Sequence, residues 1–242
     1  MNSDVVIIIP SRIGSTRLNN KPLVKIGDKC LIEHAVLNLK PDFADNLYVA
    51  TDSKQIADIV TNLGAVAVMT DENCLTGSDR VFEAYKIISA KREVKYIINV
   101  QGDMPFIRPK VINQIIERLK SNDCDIVTSV VKVGADIAKD ESNVKVVIDN
   151  NRRALYFSRS LIPHGSKEFH YHVGIYGFHS GALGRFVNLK QGKYELLEKL
   201  EQLRALENAM SIGVCLSDEI PLSIDTQADL DKAIDYYKNK IL

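Results

Sequence analysis

VIIIPSRIGSTRLNNKPL, Val6 to Leu23, is the stretch from which the rest of the chain can be read. Its first half is a β-branched run without polar alternation, the pattern of a strand buried on both faces in a parallel sheet. Pro10 ends the run, and the following residues bring Arg12, Arg17 and Lys21 together among small polar residues. Successive backbone N–H groups in an irregular loop form an anion nest, and arginine and lysine add charge to it. Cations at this density suit a triphosphate, which needs donors arrayed along its length. The loop is neither a Walker A motif nor a G-x-G-x-x-G dinucleotide fingerprint. A solvated loop whose basic residues face water is the alternative that this stretch alone leaves open.

Further along, short apolar runs alternate with amphipathic patterns. DVVIIIP (4–10), NLYVATD (46–52), AVAVMTD (65–71) and KYIINVQGD (95–103) read as strands. LIEHAVLNL (31–39), SKQIADIVTNLG (53–64), SDRVFEAYKIISAK (78–91) and RPKVINQIIERLKSND (108–123) read as helices. Ser53 and Ser78 suit N-caps, and Gly64 suits the position just past a helix end. Such alternation builds βαβ units and a mostly parallel sheet. From about residue 125 the pattern turns β-rich: CDIVTSVVKV, NVKVVIDNN, RALYFSR and HVGIYGFH read as strands, with a hairpin around Asp149-Asn150-Asn151. Helices return with YELLEKLEQLRALENAM (194–210) and TQADLDKAIDYYKNKIL (226–242). The expected organisation is a single α/β domain over 1–242 with a β-rich insertion at about 126–180.

Composition narrows the partners. Lys+Arg and Asp+Glu are both 31 in 242 residues, so no global field draws the protein to nucleic acid or a membrane surface. A polyanionic ligand must then be held by a local cluster. Cys30, Cys74, Cys124 and Cys215 are far apart with no C-x-x-C pair, which points to free thiols in a reducing compartment. The N-terminal apolar run is too short for a signal segment, and no window approaches the roughly 18 apolar residues of a membrane span. A cytoplasmic protein is the expectation.

In open parallel sheets, ligands bind beyond the carboxyl ends of the strands. Here those ends carry Ser11-Arg12, Thr51-Asp52, the TGSDR segment (76–80) and Gln101-Gly102-Asp103. Asp103 closes a strongly apolar strand, a good place for a carboxylate that holds Mg²⁺ with substrate phosphate oxygens. Asp225, in LSIDTQADL, is placed to be a second ligand or, equally, the N-cap of the last helix. His170 and His172 share one face of a strand, but no third ligand is evident, so a zinc site is disfavoured.

Taken in order, IIIPSRIGSTRLNNKPL, YVATD, MTDENCLTGSDR, INVQGDMP, NVKVVID, ALYFSRSLIP, HVGIYGF, LEKLEQLRALEN and IDTQADL resemble the 3-deoxy-manno-octulosonate (Kdo) cytidylyltransferases. The likeness covers nearly the whole chain. Sibling enzymes that make CMP-sialic acids match ALYFSR, GIYGF and LEQLR poorly. The resemblance implies a Rossmann-like nucleotidyltransferase (GT-A-like) α/β fold, with a mostly parallel sheet flanked by helices and a smaller β-rich insertion. It also implies transfer of CMP from CTP to Kdo with Mg²⁺, in the cytoplasm, by a homodimer serving lipopolysaccharide synthesis. A related sugar acid (8-amino Kdo or a sialic acid) and a catalytically silent nucleotide-binding homologue are the alternatives.

Carried over residue by residue, the resemblance assigns Arg12 and Lys21 to the CTP phosphates, with Ser11 in the loop backbone. Thr76, Gly77 and Arg80 fall at the cytidine side, and Gln101 near the join of the two substrates. Asp103 and Asp225 become the metal ligands, and with Arg12 and Lys21 the catalytic set. Arg17, Arg159, His172, Tyr176, Glu201 and Gln202 line the sugar-acid pocket. Three departures stand out. Asn19-Asn20 replaces the family's Pro-Gly before the loop lysine, and asparagine tolerates the positive φ that such a turn asks for. Met104 replaces a glutamate after the metal aspartate, removing one negative charge. The segment between Ile162 and His172, which contributes to dimer contacts in the family, is shorter than is common.

Overall fold

A computed structural model describes residues 4–14 and 18–241. The chain divides into two compact units, Met1–Pro109 with Pro221–Leu242, and Lys110–Ile220. The first opens with β1 (Val5–Ser11), a small hairpin of β2 (Lys25–Ile26) and β3 (Lys29–Cys30), and α1 (Leu31–Phe43). It continues through β4 (Leu47–Thr51), α2 (Lys54–Asn62), β5 (Val66–Met69), α3 (Gly77–Ser89) and β6 (Tyr96–Asn99). These strands lie in the order β6-β1-β4-β5, and every pairing is parallel. Val6, Ile7, Ile8 and Ile9 are all completely buried, which is why the run shows no polar alternation.

Local chemistry sets the ends of these elements. Ser53 caps α2, its Oγ accepting from the N–H of Ile56, and Gly64 follows the helix at φ +70. The cap of α3 is Thr76, not Ser78. Thr76 Oγ1 accepts from the N–H of Asp79, and Asp79 Oδ2 accepts from the N–H of Thr76, a reciprocal box that leaves Ser78 buried in the first turn.

The second unit takes in nearly all of α4 (Pro109–Lys120), then β7 (Ile126–Val133), α5 (Ala135–Ala138), β8 (Lys145–Ile148), β9 (Ala154–Ser158) and β10 (Phe169–His179). It continues with α6 (Ser180–Val187), α7 (Lys193–Glu198), α8 (Leu203–Glu207) and β11 (Ile212–Ser217). β11 runs parallel to β7, whereas β7–β10, β10–β8 and β8–β9 are antiparallel.

Three sequence expectations shift here. The hairpin between β8 and β9 turns one residue later than expected. Asp149 Oδ1 accepts from the N–H groups of Asn151 and Arg153, and Arg152 takes the left-handed conformation (φ 58). α6 has no counterpart in the pattern reading, because Gly181 and Gly184 dilute its helical signal; it is held by burial of Ala182, Leu183 and Phe186. The segment read as one helix over 194–210 is two. Lys199 adopts φ 55 and breaks it, so α7 leaves Leu196 and Leu197 exposed while Leu200 and Leu203 are buried.

The C-terminal helix α9 (Gln227–Ile241) returns to the first unit. There Leu230 and Ala233 close a core with Ile26, Leu31 and Ile224, and each fully buried Leu or Ile side chain is worth about 1.5–3 kcal/mol. His34 is buried beside this core, its Nε2 2.8 Å from the carbonyl of Ile26 and its ring edge-on to Phe106 and Tyr237. All four cysteines are unpaired. Among the described residues, no helix is long and apolar enough to cross a membrane.

Candidate active site

The carboxyl ends of β1 and β6, the start of α3 and the segment before α9 enclose a cleft of about 270 Å³ within the first unit. Ser11, Arg12, Lys21, Thr76, Gly77, Arg80, Gln101, Asp103 and Asp225 all line it, joined by Pro10, Pro22, Leu31 and Gly102. Every residue assigned to CTP, metal or catalysis by the resemblance is therefore brought to one place.

The loop after β1 reaches the cleft through a left-handed residue. Asn20 sits at φ 50, ψ 38, and its carbonyl accepts from the N–H of Leu23 at 2.7 Å, starting the 3-10 turn Lys21–Leu23. That turn aims Lys21 inward. Its ammonium donates to Asp103 Oδ2 at 2.9 Å and to Asp225 Oδ1 at 2.8 Å. The two carboxylates are registered by the backbone, because the N–H of Ile224 donates to the carbonyl of Asp103 at 3.0 Å.

Capping was the rival role for Asp225. The reciprocal bonds at the start of α9 belong to Thr226 and Asp229 instead: Asp229 Oδ2 accepts from the N–H of Thr226, and Thr226 Oγ1 from the N–H of Asp229. Gly102 is required where the turn after β6 passes β1, since a Cβ there would lie 2.8 Å from the carbonyl oxygen of Pro10.

Burial pushes the Asp103 carboxyl above the usual range; Lys21 pulls the other way, and Asp225 adds to the rise. Two carboxylate oxygens thus converge on a single cation, the Lys21 ammonium. Among the described residues no group of three or more His, Cys, Asp or Glu is placed to hold a metal. A pair of hard carboxylates with space alongside fits Mg²⁺, which takes its remaining ligands from phosphate and water, better than zinc. Met104 is buried, so the position where the family carries a glutamate offers this pair neither a further ligand nor a further charge.

Arg80 is buried with its guanidinium already engaged. Nη2 donates to Asp52 Oδ2 at 2.8 Å and Nη1 to Thr70 Oγ1 at 2.6 Å. Thr70 was not singled out in the sequence; Asp52, just past the carboxyl end of β4, stands there among the strand-end groups but not as the partner of Arg80. Ser11 Oγ is buried with no hydrogen-bond partner among the described residues, a polar atom facing the cleft wall unsatisfied.

Apart from Arg17, the residues assigned to the sugar acid fall in the second unit. Arg159, just past β9, donates from Nε to the carbonyl of Glu198 at 2.9 Å and from Nη1 to that of Glu141 at 3.2 Å. His172, on β10, is buried with Nε2 2.9 Å from Thr128 Oγ1, and burial pushes its pKa down to about 3. Opposite β7, the register of β10 shifts between Val173 and Tyr176. The Tyr176 ring comes 5.5 Å from that of His172, and its phenol is pushed well up by burial and by the charge of Glu201. Gln202 is buried with no hydrogen-bond partner for Nε2 among the described residues. His172, Tyr176 and Glu201 are thus brought together, while Arg159 is tied to Glu198 at the end of α7. Arg17 lies outside the described residues.

Comparison with known proteins adds the family. The chain matches the cytidylyltransferase family model over residues 6–212. It is 51% identical to the 3-deoxy-manno-octulosonate cytidylyltransferase of Rickettsia bellii (strain OSU 85-389), over 100% of this chain and 99% of that protein. The Rickettsia rickettsii (strain Sheila Smith) protein of the same name is 52% identical over 97% of this chain and 98% of its own length. Among solved structures, CMP:2-keto-3-deoxy-manno-octonic acid synthetase complexed with CTP superposes with a TM-score of 0.90 at 32% identity, covering 98% of this chain and 100% of that one. A Leptospira borgpetersenii cytidylyltransferase, at 17% identity and a TM-score of 0.62 over 98% of this chain and 95% of that one, shares the fold alone. On this combined footing the chain belongs to the 3-deoxy-manno-octulosonate cytidylyltransferase family.

Proposed function

We propose that the protein transfers CMP from CTP to the anomeric hydroxyl of Kdo, with Mg²⁺, releasing pyrophosphate. The carrying observation is the meeting of Lys21, Asp103 and Asp225 in the cleft that also holds Arg12 and the start of α3. The new bond joins the sugar oxygen to the α-phosphorus, the bond from that phosphorus to the β-phosphate oxygen breaks in line, and the hydroxyl proton is lost. Such a displacement depends on alignment and charge neutralisation, with no covalent nucleophile from the protein.

Arg12 and Lys21 neutralise the triphosphate, and Lys21 places a compact cation beside the departing phosphates. Thr76 and Gly77 present the N-terminus of α3, the positive end of its dipole, on the nucleotide side. Arg80, fixed by Asp52 and Thr70, keeps that wall rigid and positive. Gln101 stands near the join of the two substrates. Asp103 and Asp225 would hold the metal ion, which when bound screens phosphate charge and lowers the pKa of the attacking hydroxyl. Arg17 and Arg159 offer planar forks to the sugar carboxylate, and His172, Tyr176, Glu201 and Gln202 complete that pocket.

The enzyme works in the cytoplasm as a homodimer and supplies an activated sugar acid for lipopolysaccharide synthesis. Support for the dimer comes from apolar side chains on the second unit, where Leu155, Leu161, Tyr194, Leu196 and Leu197 are exposed and Tyr156 of β9 stacks edge-on with Tyr194 of α7. Pyrophosphate release with CTP and Mg²⁺, run in parallel on Kdo, 8-amino Kdo and sialic acid, tests the reaction. Release with Kdo foremost is expected. Release with none of them overturns the enzymatic reading, and a marked preference for another acid overturns the choice of Kdo.

A further inference from the structure

Lys145 opens β8 in NVKVVID and is only 1% exposed, a lone charge inside an apolar strand. Its ammonium is enclosed by backbone. It donates to the carbonyls of Asp140 at 3.1 Å, Asn143 at 2.6 Å and Arg159 at 2.5 Å. An ammonium has three N–H bonds, and here each finds a carbonyl, which is how a buried charge becomes tolerable. Burial still lowers its pKa, although the charges of Asp140 and Glu141 pull the other way.

The three carbonyls belong to separate pieces of chain. Two come from the turn at 140–143, and the third from the residue just past β9, where Ser158 pairs with Lys145. Arg159 closes the ring from its other side. Its Nη1 donates to Glu141 in that same turn, while its N–H and Nε donate to the carboxylate and carbonyl of Glu198. The direction of the Arg159 guanidinium therefore depends on a turn that Lys145 holds at two points and on a peptide whose oxygen Lys145 holds directly. An apolar residue of equal length would fill the space but leave three carbonyls unpaired and the turn untied.

We propose that Lys145 is a positioning residue for the sugar acid: its caged ammonium fixes the backbone and aim of Arg159, through which the substrate carboxylate is received. The inference rests on the reading of Arg159 as a ligand of that carboxylate, so the test carries an arm for each.

Steady-state kinetics of the intact enzyme are compared for Lys145→Met, Arg159→Ala and the double variant, with thermal unfolding recorded for all. Ile212→Ala in β11, a buried change away from the cage, serves as a control for general destabilisation. Lys145→Met should raise KM for Kdo about tenfold while KM for CTP and kcat stay within about threefold of the parent, and the double variant should be no worse than Arg159→Ala alone. Unchanged KM for Kdo, equal rises in both KM values, additive losses in the double variant, or the same pattern in Ile212→Ala would overturn the role of Lys145. An unchanged KM for Kdo in Arg159→Ala would instead overturn the reading of Arg159, and the proposal with it. If Lys145→Met does not fold, Lys145→Gln, which keeps N–H donors without charge, is judged by the same criteria.

Discussion

Lys21 and Asp225 are 204 positions apart in the chain, yet the ammonium of one lies 2.8 Å from the carboxylate of the other, with Asp103 sharing the same ammonium at 2.9 Å. One cation thus stands between two anions where β1, β6 and the entry to α9 converge. The arrangement is compact enough that each member can be removed with a distinct outcome.

Asp103→Asn keeps the shape and one acceptor for Lys21 but removes a charge that burial already disfavours. The fold should survive, with thermal unfolding within a few degrees of the parent, whereas turnover should fall at least roughly a hundredfold as charge stabilisation at the reacting phosphate is lost. Pyrophosphate release measures the second. Near-parental turnover would remove Asp103 from the metal site.

Lys21→Ala strands two carboxylates together, one of them mostly buried. At pH 7 it should cost about 2–4 kcal/mol, toward the lower side of the penalty for an uncompensated buried charge because Asp225 is partly exposed. Lys21 opposes the rise in the Asp103 pKa, so its removal raises that pKa further. A carboxyl whose folded pKa is raised disfavours the fold when ionised, and that cost vanishes as pH falls through the raised value. Urea unfolding should therefore show a smaller loss at pH 5 than at pH 7, and a loss that grew on acidification would contradict the geometry. KM for CTP should rise more than KM for Kdo.

Asp52→Leu leaves the buried Arg80 guanidinium without its anion. Destabilisation of about 3–5 kcal/mol is expected, with Thr70 as the remaining partner, and Asp52→Asn should recover much of it through the retained acceptor. Denaturant titration separates the two. Equal stability of Asp52→Leu and the parent would show that Arg80 does not depend on this pair.

Asn20 occupies a left-handed conformation that suits glycine and asparagine and penalises β-branched residues. Asn20→Gly should keep both stability and KM for CTP, whereas Asn20→Val should lose about 1–2 kcal/mol and raise KM for CTP by displacing Lys21. If Asn20→Val behaves like the parent, the turn does not govern the lysine.

His172 is held neutral by burial, its pKa pushed down to about 3. Because the unfolded chain protonates near 6.5 and the folded one does not, acidification below that value costs stability, by at most about 1.4 kcal/mol per pH unit from this group. In an NMR titration from pH 8 to pH 4, the ring signals of His172 should stay still. A midpoint near 6.5 would show an accessible imidazole.

Much of this site was legible in the chain itself. The unbroken apolar run of β1 announced burial on both faces, strand–helix alternation announced the parallel unit, and the residues just past the strand ends announced the cleft. All of these are local patterns, and local patterns report burial and backbone preference. Where the signal was weak or local choices competed, the reading slipped: glycines hid α6, Thr76 displaced Ser78 as the cap of α3, and Lys199 split a helix whose leucine spacing looked continuous.

The sequence by itself thus determined the type of most elements, the left-handed turn at Asn20 and the set of groups available to a charged substrate. Tertiary structure alone decided which charges meet. Lys21 found Asp103 and Asp225, Arg80 found Asp52 and Thr70, and Lys145, besides two carbonyls of the turn just before it, found that of Arg159 across the β8–β9 hairpin. The physical reason is range. Periodicity is fixed by neighbours a few residues apart, whereas the partner of a buried charge is fixed by which strand ends and turns the topology brings together, and by the cost of leaving that charge unpaired once water has gone.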